Sequence, residues 1–328
     1  MAAIRYGIAG RPVQESLSPL LTALVVNHLG LNPKQKSLKM ELIEVSSLPD
    51  ALAWGYAGAV PSPVEWSYTQ ALFGKFRTSA LLNKAVEASS EITETHVAFR
   101  PHARNDGHRH PKHSVDGLPT RMFDSEIWLN LTSPLKHQLD SSAVIAIDAS
   151  MMTKSVNALR WDGKGWWCGG FDGDGVLDVL EHHGFSPESN VLGLHGGGGA
   201  ARSTAAAWAK SNGSITPLES RRPLEEGAWT LKVGDLTPTV IVDFDGLARD
   251  SSQGVMRLQA AYGPMTGSFE ERAKKITTPC LDGRWLLVAQ HLACWRNLWA
   301  PELALQLPSL GLLLTKLVEA EILLEQYA

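Results

Sequence analysis

The strongest chemical signal in this 328-residue chain is a glycine cluster, Gly196-Gly197-Gly198-Gly199-Ala200-Ala201, which contains G-x-G-x-x-A at Gly196, Gly198 and Ala201. In such a pattern the first glycine permits a tight turn and the second lets a pyrophosphate approach the backbone. The small third residue allows close helix–strand packing, and the helix N-terminus faces the anion. The context is right: Asn190 to Leu194 reads as a strand and Ala200 to Lys210 as an alanine-rich helix ended by Asn212-Gly213. A flexible glycine loop is the plain alternative. About twenty residues on, Glu219 has the type and position to bind a ribose 2′-hydroxyl, whereas Arg221 and Arg222 carry guanidinium forks suited to a 2′-phosphate. The paired arginines favour NADP over NAD, and surface charge is the competing explanation for all three residues.

A second set concerns proton transfer. Lys136 follows the turn Thr132-Ser133-Pro134 at the end of the strand-like run Ile127 to Leu131, where a side chain can be aimed. Asp172 stands in the glycine-rich turn Gly170 to Gly175. A lysine beside an aspartate can exchange a proton with a reacting hydroxyl; a surface lysine and a turn aspartate are the alternative. Ser16, Ser18, Asn130, Thr132 and Asn157 supply neutral donors and acceptors for a small polyhydroxylated acid, or satisfy helix caps and turns.

These residues need an α/β framework. Ile4 to Gly10 reads as a buried strand, and Ser18-Pro19 as the capped start of a helix that stops at Gly30. Leu38 to Val45 reads as a second strand. Ala51 to Ala57 and Glu65 to Glu91 look helical, Val144 to Ile147 and Ser155 to Leu159 look like strands, and Trp161 to Gly165 a hairpin turn. Gly173 to His183 looks helical. Ser214 to Leu218 and Val240 to Phe244 complete a βαβ-type sheet, and the tail from Trp285 is mostly helical. There, Leu310, Leu313, Leu314, Leu317 and Leu324 share one face, for core or dimer packing.

Composition narrows the function classes. With 34 acids against 30 bases the formal net charge is −4, too mild to point to nucleic acid or a membrane surface as partner. Cys168, Cys280 and Cys294 are far apart, which disfavours a thiolate zinc site or a disulfide framework. His102, His108, His110 and His113 lie in a polar stretch without carboxylate or cysteine ligands at helical spacing, so a solvated loop is expected there rather than a metal site. The start MAAIRYGIAG shows no basic region followed by an apolar signal core, and no apolar run is long enough to span a bilayer. A cytoplasmic monomer or homodimer is the expectation.

Six segments, in order, resemble the shikimate dehydrogenases. Tyr6 to Pro12 leading to Ser16-Leu17-Ser18-Pro19 is similar to the family's G-x-P-x-x-x-S-x-S-P, and Asn130 to Lys136 to its N-V-T-x-P-x-K. Ser155-Val156-Asn157-Ala158 resembles A-V-N-T, and Gly170 to Gly175 resembles N-T-D-G-x-G. Gly196 to Arg202 matches G-A-G-G-A-A-R, and Asp282 to Gln290 is similar to D-G-x-x-M-L-x-x-Q. The resemblance implies an α/β substrate domain at 1–173, a Rossmann-like NADP domain at 174–280, and C-terminal helices at 281–328 that return to the substrate domain. It implies reversible NADP-dependent reduction of 3-dehydroshikimate to shikimate, in aromatic amino-acid biosynthesis. Lys136 and Asp172 would be catalytic, Ser16 and Ser18 would hold the carboxylate, and Asn130, Thr132, Asn157, Asp172 and Gln290 the ring hydroxyls. The loop Gly196, Gly197, Gly198, Gly199, Ala200 and Ala201, with Arg221 and Arg222, would bind the cofactor.

Departures from the family's pattern, among them Ser220-Arg221-Arg222 where the family has N-R-T, keep other functions open. The stretch at about 46–124 is longer than the family's connection, Gly170-Phe171 replaces asparagine and threonine before Asp172, and Asp243-Phe244-Asp245-Gly246-Leu247 stands where N-A-T-P-x-G-M is found in the family. A dehydrogenase of quinate or another cyclic hydroxy acid, and a catalytically impaired ligand-binding regulator, are the alternatives.

Overall fold

The computed structural model describes residues 4–31, 39–57, 63–68, 71–72, 74–102, 110–112, 117–118, 126–247 and 255–326. Its first half is built from β1 (Arg5–Gly10), α1 (Ser18–His28), β2 (Lys39–Glu44), α2 (Leu48–Ala57), β3 (Ser67–Tyr68), β4 (Ala71–Leu72) and α3 (Gly74–Ala88). It continues through β5 (Ile127–Leu131), β6 (Val144–Ala146), β7 (Ala158–Trp161), β8 (Trp166–Gly169) and α4 (Asp172–His182). The second half comprises β9 (Val191–His195), α5 (Gly199–Lys210), β10 (Ser214–Pro217), β11 (Val240–Asp243), β12 (Met256–Gln259), α6 (Phe269–Thr277), α7 (Gly283–Cys294) and α8 (Leu310–Glu325).

Two sheets divide the chain. The six-stranded sheet runs β2-β1-β5-β7-β8-β6, with β1 parallel to both β2 and β5, and β7 antiparallel to β5 and β8. The Trp161–Gly165 hairpin turn forms as read from sequence, with Asp162 Oδ1 accepting the Lys164 and Gly165 N–H groups. The four-stranded sheet is parallel throughout, β10-β9-β11-β12, and its order reverses beside β9. This is the α/β architecture expected from the sequence: a first sheet, a Rossmann-like second sheet, and C-terminal helices that pack back on the first half. Helix α8 lies against α1 and α3, and α7 against α1 and α4.

Helix α4 straddles the two halves, packed on both α5 and α7. Its opening glycines explain how. A Cβ on Gly173 would collide with the Ser203 carbonyl of α5, and one on Gly175 would come within 2.9 Å of the Gln290 nitrogen of α7. The D-G-x-G spacing therefore lets two helices approach α4 at its first turn, the turn that carries Asp172.

Several sequence expectations are corrected. The residues Glu65 to Tyr68 are not helical: Ser67–Tyr68 pairs with Ala71–Leu72 as a two-stranded antiparallel ribbon, and the helix starts at Gly74. Ser155 to Asn157 precede the strand, which is Ala158–Trp161. Ser18 does not cap α1; Leu17 holds the cap position with no side-chain bond, and Pro19 occupies the first turn as expected. The leucine face of α8 is core, with Leu313, Leu314, Leu317 and Leu324 all fully buried. β12 and α6 have no counterpart in the sequence reading. Among the described residues no helix is long and apolar enough to cross a membrane. His108 and His113 lie outside the described residues, and the described ones hold no group of three or more metal-ligating side chains.

Candidate active site between the two sheets

Every polar residue singled out for proton transfer or substrate binding lines one cleft of about 570 Å³: Ser16, Ser18, Asn130, Thr132, Lys136, Asn157, Asp172 and Gln290. They arrive from separate elements. Ser16 and Ser18 come from the β1–α1 connection and the start of α1, Asn130 from β5, and Thr132 and Lys136 from the turn beyond it. Asn157 precedes β7, Asp172 opens α4, and Gln290 lies on α7.

Among them, Lys136 Nζ donates to Asp172 Oδ1 at 2.9 Å and Oδ2 at 2.7 Å. The carboxylate is 2% exposed and the lysine side chain 19%, so the pair is shielded, and both residues line the cleft. Asp172 sits in the first turn of α4, where the partial positive charge of the free N–H groups favours an anion.

The two asparagines are held by main-chain and side-chain groups. Asn157 Oδ1 accepts the Phe171 N–H at 2.9 Å, which orients its amide so that the NH2 end is the donor left for the cleft. Asn130 is more committed. Its Oδ1 accepts the Tyr6 hydroxyl at 2.7 Å, and its Nδ2 donates to Asn157 O at 3.3 Å and weakly to Cys294 Sγ at 3.8 Å. The serine loop is braced from the long 46–124 segment: the buried Trp66 indole N–H donates to Ser16 O at 2.8 Å, and Ser67 N–H to Gln14 O at 2.9 Å.

Sequence reasoning missed Trp66 and Tyr262. The Tyr262 hydroxyl lines the cleft and accepts the Leu17 N–H at 3.4 Å, between the two serines. Burial pushes its phenol up against the opposing effect of the Leu17 and Ser16 contacts, so it remains a neutral donor. Its position is fixed by the buried Arg284, which pairs with Glu321 at 2.7 Å and donates to Gly263 O at 2.6 Å. The only local signal is a tyrosine before a Gly-Pro turn; its place beside Ser16 depends on a contact 245 residues apart.

The glycine loop closes the other side. It leaves the C-terminal end of β9, next to the reversal of strand order, the usual ligand crevice of a doubly wound sheet. Gly196 has φ +127°, and a Cβ on Gly197 would collide with the Pro223 carbonyl, whereas one on Gly198 would meet nothing within 4 Å. The loop thus has an open face at Gly198 beside the N–H groups opening α5, and these features fit a pyrophosphate. Ala200 also lines the cleft, and Ala201 is fully buried under the loop.

Arg221 and Arg222 are exposed on the segment after β10. The Arg221 N–H donates to Asp245 Oδ2 at 2.7 Å, and its guanidinium lies 3.6 Å from Asp245 Oδ1. His195 Nδ1 lies 2.6 Å from Glu219 O and ties that segment to the end of β9. Asp243 is spent on its own turn, accepting the Asp245 and Gly246 N–H groups, while the next residue, Phe244, reaches the cleft.

No family model and no curated protein matches the chain. Solved structures do. The shikimate 5-dehydrogenase of Thermus thermophilus in complex with shikimate is 18% identical, covering 97% of this chain and 99% of that one, with a TM-score of 0.55. The same enzyme with NADP(H) and shikimate is 19% identical over the same shares, with a TM-score of 0.54. The shikimate dehydrogenase of Aquifex aeolicus is 16% identical, covering 90% and 91%, with a TM-score of 0.52. Over the described residues the chain has the fold of the shikimate dehydrogenases.

Proposed function

We propose that this chain is a divergent shikimate dehydrogenase that catalyses the reversible NADP-dependent interconversion of 3-dehydroshikimate and shikimate. The observation that carries the reading is the convergence of Ser16, Ser18, Asn130, Thr132, Lys136, Asn157, Asp172 and Gln290 on one cleft, with Lys136 and Asp172 paired within it. Structures of this fold that hold shikimate and NADP(H) lend it further support. In this reading 1–173 is the substrate domain, 174–280 the NADP domain and 281–328 the returning helices.

The ring carboxylate lies against the Ser16, Ser18 and Tyr262 hydroxyls, three neutral donors that need no buried cation to pair with. Asn157 and Gln290 hold ring hydroxyls, and Thr132 supplies another hydroxyl beside them. Asn130 offers only the Nδ2 hydrogen that it lends to Cys294, so it acts mainly by fixing Tyr6 and the Asn157 backbone. In the reductive direction the Lys136 ammonium donates its proton to the C3 oxygen as the carbonyl becomes an alcohol. In the oxidative direction the amine takes that proton back. Asp172 keeps the lysine aimed and offsets its charge in the shielded cleft. NADP bound along the glycine loop supplies the hydride acceptor or donor.

The test is nicotinamide absorbance with purified protein, NADP and, in separate runs, shikimate and quinate. Turnover with shikimate exceeding that with quinate is expected. Turnover with quinate alone would replace the substrate, and ligand binding without turnover on any cyclic hydroxy acid would favour a regulator.

A further inference from the structure

One side chain has hydrogen bonds on both sides of the cleft. Arg202, in the first turn of α5, donates from Nε to Thr153 O at 2.8 Å and from Nη2 to Lys154 O at 2.7 Å. Its Nη1 donates to Gly197 O at 3.1 Å, within the glycine loop. All three acceptors are main-chain carbonyls, so the planar fork fixes backbone against backbone. The two walls also touch directly: a Cβ on Gly199 would lie 3.2 Å from Lys136 Cβ and 3.4 Å from Lys154 O.

The substrate-side end of this contact is strained. Lys154 has φ +50°, a left-handed conformation that is costly for a residue with a side chain and persists where surrounding bonds impose it. The Arg202 bond to the Lys154 carbonyl is such a bond. Ser155 Oγ bonds Thr153 Oγ1 at 2.6 Å, and two residues beyond Ser155 the chain reaches Asn157. Asn157 in turn holds Phe171, the residue before Asp172. A path of hydrogen bonds and short chain links therefore leads from the loop backbone to the proton-transfer pair.

We propose that Arg202 is a positioning residue that latches the glycine loop to the 153–157 segment, so that nucleotide on the loop orders the substrate side of the cleft. The latch itself stands on the geometry above, and the identity of its two ligands rests on the function proposed for the cleft. Linkage makes the effect reciprocal: shikimate must tighten nucleotide binding by the same factor.

The experiment combines calorimetry and backbone amide exchange on wild type, Arg202→Ala and Arg202→Lys, the last keeping the charge without the fork. In wild type, saturating NADPH, which cannot react with shikimate, should tighten shikimate binding by about fivefold or more, the lower end of common coupling between sites. It should also slow exchange at 150–157. In Arg202→Ala the two binary affinities should persist, the tightening should vanish, and 150–157 should exchange faster even without ligand. Arg202→Lys should fall between, and it serves as the deciding variant if Arg202→Ala does not fold. No coupling in wild type, or full coupling in Arg202→Ala, would overturn the proposal. If wild type binds neither ligand, the functional reading falls. Exchange in the ligand-free proteins then decides the latch: unchanged protection of 150–157 in the variants overturns it, and faster exchange there upholds it.

Discussion

The two walls of the cleft use different chemistry. The wall proposed for the substrate is made of side chains, with Asn157 fixed by the Phe171 backbone, Lys136 by Asp172 and the Ser16 backbone by Trp66. The wall proposed for the nucleotide is made of backbone, with an open face at Gly198, and the charged side chains of Arg221 and Arg222 are exposed at its rim. Side chains set in shielded positions give a site its reaction and substrate. Exposed charges over a backbone cradle set only which nucleotide it prefers, and a few substitutions can change that. Mutations on the substrate wall should accordingly be felt more than those at the rim.

The largest effect is expected at the ion pair. Lys136→Ala should lower kcat by about 10²–10⁴-fold with little change in shikimate affinity, and Asp172→Asn should also lower kcat strongly. Steady-state kinetics with binding measured separately would show this, and near wild-type kcat in the lysine variant would sink the mechanism.

Next comes the carboxylate subsite. Ser16→Ala and Ser18→Ala should each raise the shikimate KM by about 10–100-fold, since a hydrogen bond to a charged group contributes ~1.5–3 kcal/mol, while the NADP KM stays put. Ser18 is not a helix cap, but Ser16 Oγ accepts the Ser18 N–H at 3.2 Å at the start of α1, so the Ser16→Ala variant should melt slightly lower. Trp66→Phe, which removes the indole N–H from Ser16 O, should give a smaller rise in the same KM. An equal rise in the NADP KM would erase the distinction between the walls.

At the rim, Arg221→Ala with Arg222→Ala should weaken NADP binding and spare NAD. The loss should be at most about 10-fold, because Arg221 is exposed and already shares its charge with Asp245. A wild-type preference for NAD, unchanged in this variant, would remove both arginines from the cofactor site.

The smallest effect concerns pH. His291, 1% exposed on α7, has its imidazole pKa pushed by burial from its ordinary 6.5 down to about 3. It is neutral in the folded chain and protonates more readily once unfolded, so the stability present above pH 6.5 is lost as pH falls from there toward 3. A His291→Leu variant should show a flatter fall in melting temperature across that window. A slope identical to wild type would exclude the histidine as a cause.

Most of this is legible in the residues where one side chain does one local job. The G-x-G-x-x-A loop and its flanking strand and helix are readable from turn chemistry, and Asp172-Gly173-Asp174-Gly175 from its place at a helix start. The contacts that finish the site are not, because they are distant in sequence. Trp66 meets Ser16 across 50 residues and Tyr262 meets Leu17 across 245. Glu65 to Tyr68 reads as helix because it runs into the apolar stretch that leads to α3, although Trp66 and Tyr68 stand at the alternate positions of a strand. Ser18 reads as a cap because a serine before proline serves capping and ligand binding equally well.

The central claim is that this cleft moves a hydride and a proton at one carbon of a cyclic hydroxy acid. Shikimate deuterated at C3, incubated with NADP and the wild-type protein, tests it most directly. The account predicts that reduced nicotinamide forms carrying the deuterium, and that Lys136→Ala binds the labelled compound yet forms the product far more slowly. Reduced nicotinamide without the label, or no transfer at all by a protein that binds both ligands, would contradict it.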